Sequence, residues 1–463
     1  MARTIGLCGL GEMGRNIALN WRDHGFLVKG YDPSPEARNR FSSLFSQEAY
    51  SSLSALVSSL PAPRIICIMA PNSKVEILAN EFDLLLSSGD IVVDAGNSNF
   101  EVTETRQVRF ARNQIEWIGV GVSGGTNGAR NGPAVMAGGT SGGVEKIRSI
   151  FEPIAAQTND GQRCFAYVGS GGAGHFAKMV HNGIEYAEMQ SIAEAAYLCR
   201  CLGLKDAKDV SKIFNDWGRG ELCSYLLQIS AEVLLAEFQN SIPLIEVTSD
   251  QASDSGTGRW FVSAALSLGV ATPTINAALL ARLQSSSADT RKLFKNLIKV
   301  ERRFRNDQEF IYWLHDALLG ARIVAFSQGL DLLTVASKRF GWNVDVLDLL
   351  RTWRAGSIIQ CHLLDQVFIA KKPIVSITDF LSLPFVVQTL ERVEAPWRRL
   401  ASLALNSSLP IPVLAAGIQW LDIFRTERLW TDMVQVQRDY FGAHGLFVKN
   451  RSELYKHDWN SEK

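Results

Sequence analysis

No sign of charge predominates in this chain, because 47 lysines and arginines are matched by 47 aspartates and glutamates. That balance excludes a molecule-wide field drawing it onto nucleic acid or an anionic membrane, so any anionic ligand must be met by local charge. Cysteine is scarce and unpatterned. The seven present, Cys8, Cys67, Cys164, Cys199, Cys201, Cys223 and Cys361, form no CxxC pair. This argues against a disulfide framework and a zinc site, and reduced thiols in a cytoplasmic protein with no metal are expected. An unbroken apolar run is also lacking. The most apolar long stretch, Trp260 to Leu283, is punctuated by Arg259, Pro273, Asn276 and Arg282, so it reads as a buried helix pair and not a bilayer span. The chain meets Gly9 too early for a signal peptide's basic and apolar regions, and export by that route is not expected.

A length of 463 residues exceeds what one ordinary core organises, so two or more packed units are expected. To about Gly172, short Ile- and Val-rich runs alternate with helical stretches, the pattern of βαβ units on a parallel sheet. Strands are predicted at Thr4 to Cys8, Leu27 to Tyr31, Ile65 to Met69, Ile91 to Val93, Trp117 to Val122 and near Ala134 to Met136. Loop-forming residues cluster at their C-terminal ends, the edge where open α/β sheets bind ligands. After the cluster Gly169-Ser170-Gly171-Gly172-Ala173-Gly174 the sequence turns to long helical periods. The expected architecture is an α/β Rossmann-like dinucleotide-binding domain over 1–173, an all-helical domain over 174–430 and a C-terminal tail over 431–463.

Gly9-Leu10-Gly11-Glu12-Met13-Gly14 matches GxGxxG after a predicted strand and before a predicted helix, the context the motif requires. Gly9 permits the tight turn, Gly11 lets backbone approach a pyrophosphate, and Gly14 lets helix and strand pack closely. The helix N-terminus presents free N–H groups to the anion. Asp32, ending the second strand, stands where a carboxylate receives the ribose hydroxyls of NAD and repels the extra phosphate of NADP. As a residue before Pro33 it equally suits capping of a turn. Arg38 and Arg40 lie downstream as alternative phosphate ligands.

On the predicted helix through Gly174 to Tyr186, Lys178, Asn182 and Glu185 share one face. Two turns, about 10 Å of rise, separate an ammonium from a carboxyl, enough to bracket a small substrate. Phe176, Met179, Val180 and Ile184 offer apolar surroundings that move such groups' pKa values towards neutrality. Spacing alone fits a catalytic face and a solvated one equally.

Gly174-His175-Phe176-Ala177-Lys178-Met179-Val180-His181-Asn182-Gly183-Ile184-Glu185-Tyr186 resembles the signature of the 6-phosphogluconate dehydrogenase family, GHFVKMVHNGIEY, from which only Ala177 departs. Val122-Ser123-Gly124-Gly125 with Gly128-Ala129-Arg130, Asp94-Ala95-Gly96-Asn97-Ser98, Gly256-Thr257-Gly258-Arg259-Trp260 and Gln437-Arg438-Asp439-Tyr440-Phe441-Gly442-Ala443-His444 are similar to it as well. The resemblance runs in order from Gly9 to His444. It implies oxidative decarboxylation of 6-phosphogluconate with NAD or NADP, Lys178 acting as base and Glu185 as acid. It further implies that Gly9, Gly11, Met13, Gly14, Asp32 and Asn97 serve the cofactor. Asn97, Ser123, Gly124, Gly125, His181 and Asn182 would hold the sugar acid, and Tyr186, Thr257, Arg282, Arg438 and His444 its phosphate end. In this family the last two reach into a partner subunit, which implies an obligate homodimer.

Three departures bear on function. NADP-dependent members carry Asn-Arg-Thr after the second strand, where this chain has Asp32-Pro33-Ser34, and the family's lysine after the third strand is replaced within Met69-Ala70-Pro71. NAD is therefore the favoured cofactor. Ser255 stands where the family has a phosphate-binding lysine, a loss of about 1.5–3 kcal/mol if uncompensated. Arg259 is the nearby cation. Competing readings are a related dehydrogenase of another 3-hydroxy acid, opposed by Arg282, Arg438 and His444, and a non-catalytic binding paralogue, opposed by Lys178, Asn182 and Glu185.

Overall fold

A computed structural model describes residues 3–201, 203–204, 206–253, 256–298, 309–449 and 452–459. Its contacts divide the chain into two compact units, Met1–Gly417 and Ile418–Lys463.

The first unit is built on seven strands: β1 (Thr4–Cys8), β2 (Leu27–Tyr31), β3 (Ile65–Ile68), β4 (Ile91–Asp94), β5 (Glu116–Ser123), β6 (Ala134–Gly138) and β7 (Phe165–Gly169). They lie in the order β2-β1-β3-β4-β5-β6-β7. Continuous apolar runs suit strands covered on both faces, and all four residues of β4 are buried. Trp21, Phe41 and Phe151 fill one side of the sheet, Leu56, Phe82, Phe110 and Trp117 the other. The sheet departs from the all-parallel expectation at one place, where β5 and β6 pair antiparallel with Val122 opposite Val135. The short helix Gly125–Asn131 joins them, too brief a link for a right-handed parallel crossover. β7, which pairs parallel with β6, is a strand that the sequence reading did not anticipate.

A helix of 29 residues, Ala173–Cys201, follows β7 directly and runs for about 44 Å. Every residue from Ala173 to Ile184 is buried, because this half packs on the sheet on one side and on helices on the other. Glycine makes the contact close. A Cβ on Gly174 would lie 2.3 Å from the Gly119 oxygen, and one on Gly121 would lie 2.5 Å from the Lys178 Cβ. Against the opposite side run Thr257–Ser267, Pro273–Ser285 and Phe310–Phe340. The buried Arg322 Nε donates to Glu188 Oε1 at 2.8 Å, tying the two longest helices together. The apolar stretch from Trp260 is thus the expected helix pair, Thr257–Ser267 and Pro273–Ser285. Among the described residues one helix, Phe310–Phe340, is long and apolar enough to cross a membrane, and 89% of its apolar window is buried inside the protein. Beside the helices lies a two-residue antiparallel pair, Glu237–Phe238 with Ile242–Pro243.

The second unit contains the helix Thr431–Gly442 and the short pair Leu446–Phe447 with Leu454–Tyr455. Its organising group is Asp439, 1% exposed, which accepts from the Gly445 N–H at 2.7 Å and the Trp459 indole at 3.1 Å.

Candidate active site

At the C-terminal edge of the sheet, β1 ends in a turn whose geometry accounts for each motif glycine. Gly9 has φ +99°, and a Cβ there would meet the Met69 carbonyl; one on Gly14 would strike the Gly9 oxygen, whereas one on Gly11 would meet nothing within 4 Å. Gly11 is the N-cap of the helix Glu12–Asp23 and no side chain fills that cap. Close packing at two glycines and open space at the third, facing unfilled helix N–H groups, fit a dinucleotide pyrophosphate.

Asp32 caps the turn, one of its two expected roles, and also braces the glycine loop. Its Oδ1 accepts from Ser34 N–H at 2.9 Å, capping the turn, while Oδ2 accepts from Leu10 N–H of the glycine loop at 2.8 Å. The Arg38 guanidinium donates to the backbone carbonyls of Asp32 and Pro33, and Arg40 is exposed.

Beside this turn opens a cleft of about 640 Å³. Met13 lines it from the helix after β1, Met69, Ala70, Pro71, Gly96 and Asn97 from the loops after β3 and β4, Val122 from β5 and Gly125 from the short helix that follows. The long helix contributes Lys178, Asn182, Glu185, Tyr186 and Met189, with Thr257 and Arg282 from the two helices packed on it. The predicted face is therefore real and points into one cavity. Asn97 is carried on a loop pinned from below by Asp94, whose carboxylate accepts from Ser98 Oγ at 2.7 Å and Gly96 N–H at 3.2 Å.

Burial shifts both members of the charged pair. It pushes the Lys178 ammonium below lysine's ordinary range, with the Glu185 charge pulling the other way. It raises the Glu185 carboxyl above its ordinary range, although the Lys178 and Arg282 charges oppose the rise. A buried amine shifted down and a buried carboxyl shifted up are each moved towards the form a general base and a general acid need. Burial, then the Lys178 charge, holds His181 well below histidine's usual range, so its imidazole is neutral.

Ser123, Gly124 and His181 adjoin the lining residues Gly125 and Asn182. Ser123 Oγ and Ser357 Oγ lie 2.8 and 2.9 Å from His181 Nε2. Gly124 takes φ +111°, and a Cβ on it would meet the Gly356 carbonyl at 2.4 Å, so the loop carrying Gly356 and Ser357 sits tightly on the serine-glycine turn. At the other end, the Arg282 guanidinium lies 3.7 Å over the Tyr186 ring, a cation–π contact.

Arg438 and His444 are exposed members of the second unit, on the helix Thr431–Gly442 and just past it. Ser255 lies outside the described residues, and Arg259 is exposed on Thr257–Ser267. Sequence reasoning missed Met189, Ser253 and Ile358, which line the cleft, and Ser357 behind it. Met189 follows Glu185 by one helical turn and was legible; the others come from loops without a local signature.

A dinucleotide turn on a doubly wound sheet, with a lysine–glutamate pair on the helix facing it, defines a nicotinamide-dependent dehydrogenase. The family model described as the NAD binding domain of 6-phosphogluconate dehydrogenase matches residues 4–169, and that described as its C-terminal domain matches 174–459. The chain belongs to the 6-phosphogluconate dehydrogenase family. It is 37% identical to the decarboxylating 6-phosphogluconate dehydrogenase of Synechococcus elongatus, with 99% of each chain covered. It is 36% identical to the decarboxylating 6-phosphogluconate dehydrogenase 2 of Saccharomyces cerevisiae, with 95% of this chain and 91% of the relative covered. The solved Plasmodium falciparum 6-phosphogluconate dehydrogenase, described with its cofactor NADP+ and its substrate 6-phosphogluconate, superposes with a TM-score of 0.92 at 30% identity. That match covers 98% of this chain and 100% of that one.

Proposed function

We propose that this chain oxidises and decarboxylates 6-phosphogluconate to ribulose 5-phosphate and carbon dioxide, reducing NAD in preference to NADP. The observation that carries the reading is the convergence of Lys178, Asn182 and Glu185, on one buried helix, with Asn97 and Arg282 in a single cleft.

When bound, the nicotinamide supplies the oxidant that accepts hydride from C3. Lys178, its pKa lowered by burial, takes the proton of the C3 hydroxyl. The resulting β-keto acid loses its carboxyl group readily, because the carbonyl accepts the electron pair left behind. The protonated Lys178 stabilises the charge developing on that oxygen. Glu185, its pKa raised by burial, then delivers a proton to C1 of the enediol. Asn97, Ser123, Gly124, Gly125, His181 and Asn182 hold the sugar acid, while Tyr186, Thr257 and Arg282 receive its phosphate. Arginine suits that ligand because its planar fork makes paired charge-assisted bonds.

The NAD preference rests on Asp32, whose carboxylate faces the glycine loop, and on Arg38 being engaged with backbone carbonyls. Arg438 and His444 complete the phosphate end from a second copy in a cytoplasmic homodimer. In keeping with that assembly, the tail exposes Phe441 at 74% and Phe447 at 82%.

Purified protein given 6-phosphogluconate with NAD or NADP tests the proposal. Reduced cofactor and carbon dioxide in equal amounts are expected, faster with NAD. No turnover with either cofactor defeats the activity, and faster turnover with NADP defeats the preference.

A further inference from the structure

His181 Nε2 has two hydroxyl neighbours, Ser123 Oγ at 2.8 Å and Ser357 Oγ at 2.9 Å. Both hydroxyl oxygens already accept a backbone hydrogen. Ile358 N–H reaches Ser123 Oγ at 3.3 Å, and Ile359 N–H reaches Ser357 Oγ at 3.2 Å. Each serine hydroxyl keeps one proton and one further lone pair and so can pair with either tautomer; the choice falls to the other side of the ring, where the Asn182 amide oxygen facing Nδ1 can only accept. A neutral histidine that accepts at Nε2 carries its proton on Nδ1. On that side stand Asn182 Oδ1 at 3.2 Å and Glu185 Oε2 at 3.6 Å.

The geometry points to Ser357 as a positioning residue that, with Ser123, supports His181 in its Nδ1–H tautomer and so helps to fix the Asn182 amide with its NH2 turned to the cleft. The chain of hydrogen bonds runs from the Ser357 hydroxyl to His181 Nε2, and from His181 Nδ1–H to Asn182 Oδ1. With its oxygen held by the imidazole, Asn182 offers the substrate a donor. That suits a ligand with oxygen acceptors, such as a sugar-acid carboxylate, and it rests on the proposed 6-phosphogluconate reading. The opposite tautomer would leave Nδ1 accepting, turn the Asn182 NH2 towards the histidine and face the cleft with an acceptor. That arrangement repels a carboxylate. The triad is sheltered, since His181 and Ser357 are 0% and 2% exposed, so water does not compete for these protons.

The test uses the full chain with isotope-labelled histidine. Seven histidines give a countable nitrogen spectrum, in which His181 is assigned by its loss in His181→Asn. The expected wild-type state is a protonated Nδ1 and a bare Nε2. Ser357→Ala is expected to populate the Nε2–H tautomer and to raise KM for 6-phosphogluconate about tenfold with a smaller change in kcat. Ser357→Cys, a weaker donor of similar size, should fall between the two. A wild-type proton on Nε2, or a Ser357→Ala protein with unchanged tautomer and KM, overturns the inference. Should the wild type turn over no 6-phosphogluconate, the functional reading fails, while the nitrogen spectra still decide the tautomer.

Discussion

Lys178 and Glu185 stand two turns apart on one buried helix, and for both the cost of burial outweighs their mutual attraction. The carboxylate raises the lysine's pKa and the ammonium lowers the glutamate's, yet lysine ends low and glutamate high. The competent state, amine neutral and carboxyl protonated, is thereby made more populated than the ordinary values would allow.

A pH profile follows with a definite sign. Activity requires the fraction of enzyme in which Lys178 is neutral and Glu185 protonated, and the two pKa values set the limbs of its pH dependence. With lysine moved down from 10.5 and glutamate up from 4.5, the bell of kcat/KM against pH should be narrower than the interval between those ordinary values. In Glu185→Gln the limb due to the carboxyl should vanish. The limb due to Lys178 should shift to lower pH, because the charge that raised it is gone. Rates of cofactor reduction across pH for the two proteins check both points, and a lysine limb that moves upward contradicts the coupling.

Arg282, stacked over Tyr186 at the far end of the cleft, should matter only to a phosphorylated substrate. Arg282→Ala is expected to raise KM for 6-phosphogluconate by about 10- to 100-fold, the worth of a charge-assisted contact of roughly 1.5–3 kcal/mol. Activity on unphosphorylated gluconate, measured at high concentration, should change little. Equal losses on both substrates would place the arginine's role elsewhere.

Most of the strand ends that carry the site could be read from sequence, because short Ile and Val runs followed by Gly, Asp or Asn announce a buried strand and its ligand-bearing edge. The direction of β6 could not, since a local apolar run is the same read either way and pairing is decided by the short link Gly125–Asn131. β7 was hidden in a five-residue segment, Phe165–Gly169, running into a glycine cluster that reads as loop. That Lys178, Asn182 and Glu185 share one face was legible from 3.6-residue periodicity, whereas spacing fitted a solvated face equally and only the resemblance to the family signature implied catalysis. Ser357 was not legible, being 176 positions from the histidine it touches.

The same helix makes a packing prediction. Gly174→Ala would drive a methyl to 2.3 Å from the Gly119 oxygen and 2.6 Å from the Gly138 nitrogen. Backbone on two strands cannot yield as a side chain can, so a loss of about 2–3 kcal/mol is expected. Gly142→Ala serves as the control, because its Cβ meets nothing within 4 Å. Inside the helix Ser141–Phe151 it should gain about 0.5–1 kcal/mol. Denaturant titration of both variants separates the cases, and similar midpoints would show that the helix can retreat from the sheet.

The proposed NAD preference turns on Asp32, and its two hydrogen bonds make the expected effect of mutation specific. Substituting Asn keeps one acceptor oxygen for either Ser34 N–H or Leu10 N–H, so the glycine loop loses one backbone contact, worth about 1 kcal/mol. The full negative charge disappears, however, and with it the repulsion of a 2′-phosphate. Asp32→Asn should therefore weaken NAD modestly while improving NADP, moving the ratio of their kcat/KM values towards NADP by about tenfold. Arg38 becomes available to that phosphate only by leaving the carbonyls of Asp32 and Pro33. Adding Arg38→Ala to Asp32→Asn should accordingly erase part of the gain. Steady-state kinetics of the wild type, the single and the double variant measure each step, and an unchanged ratio in Asp32→Asn would remove the carboxylate from the explanation.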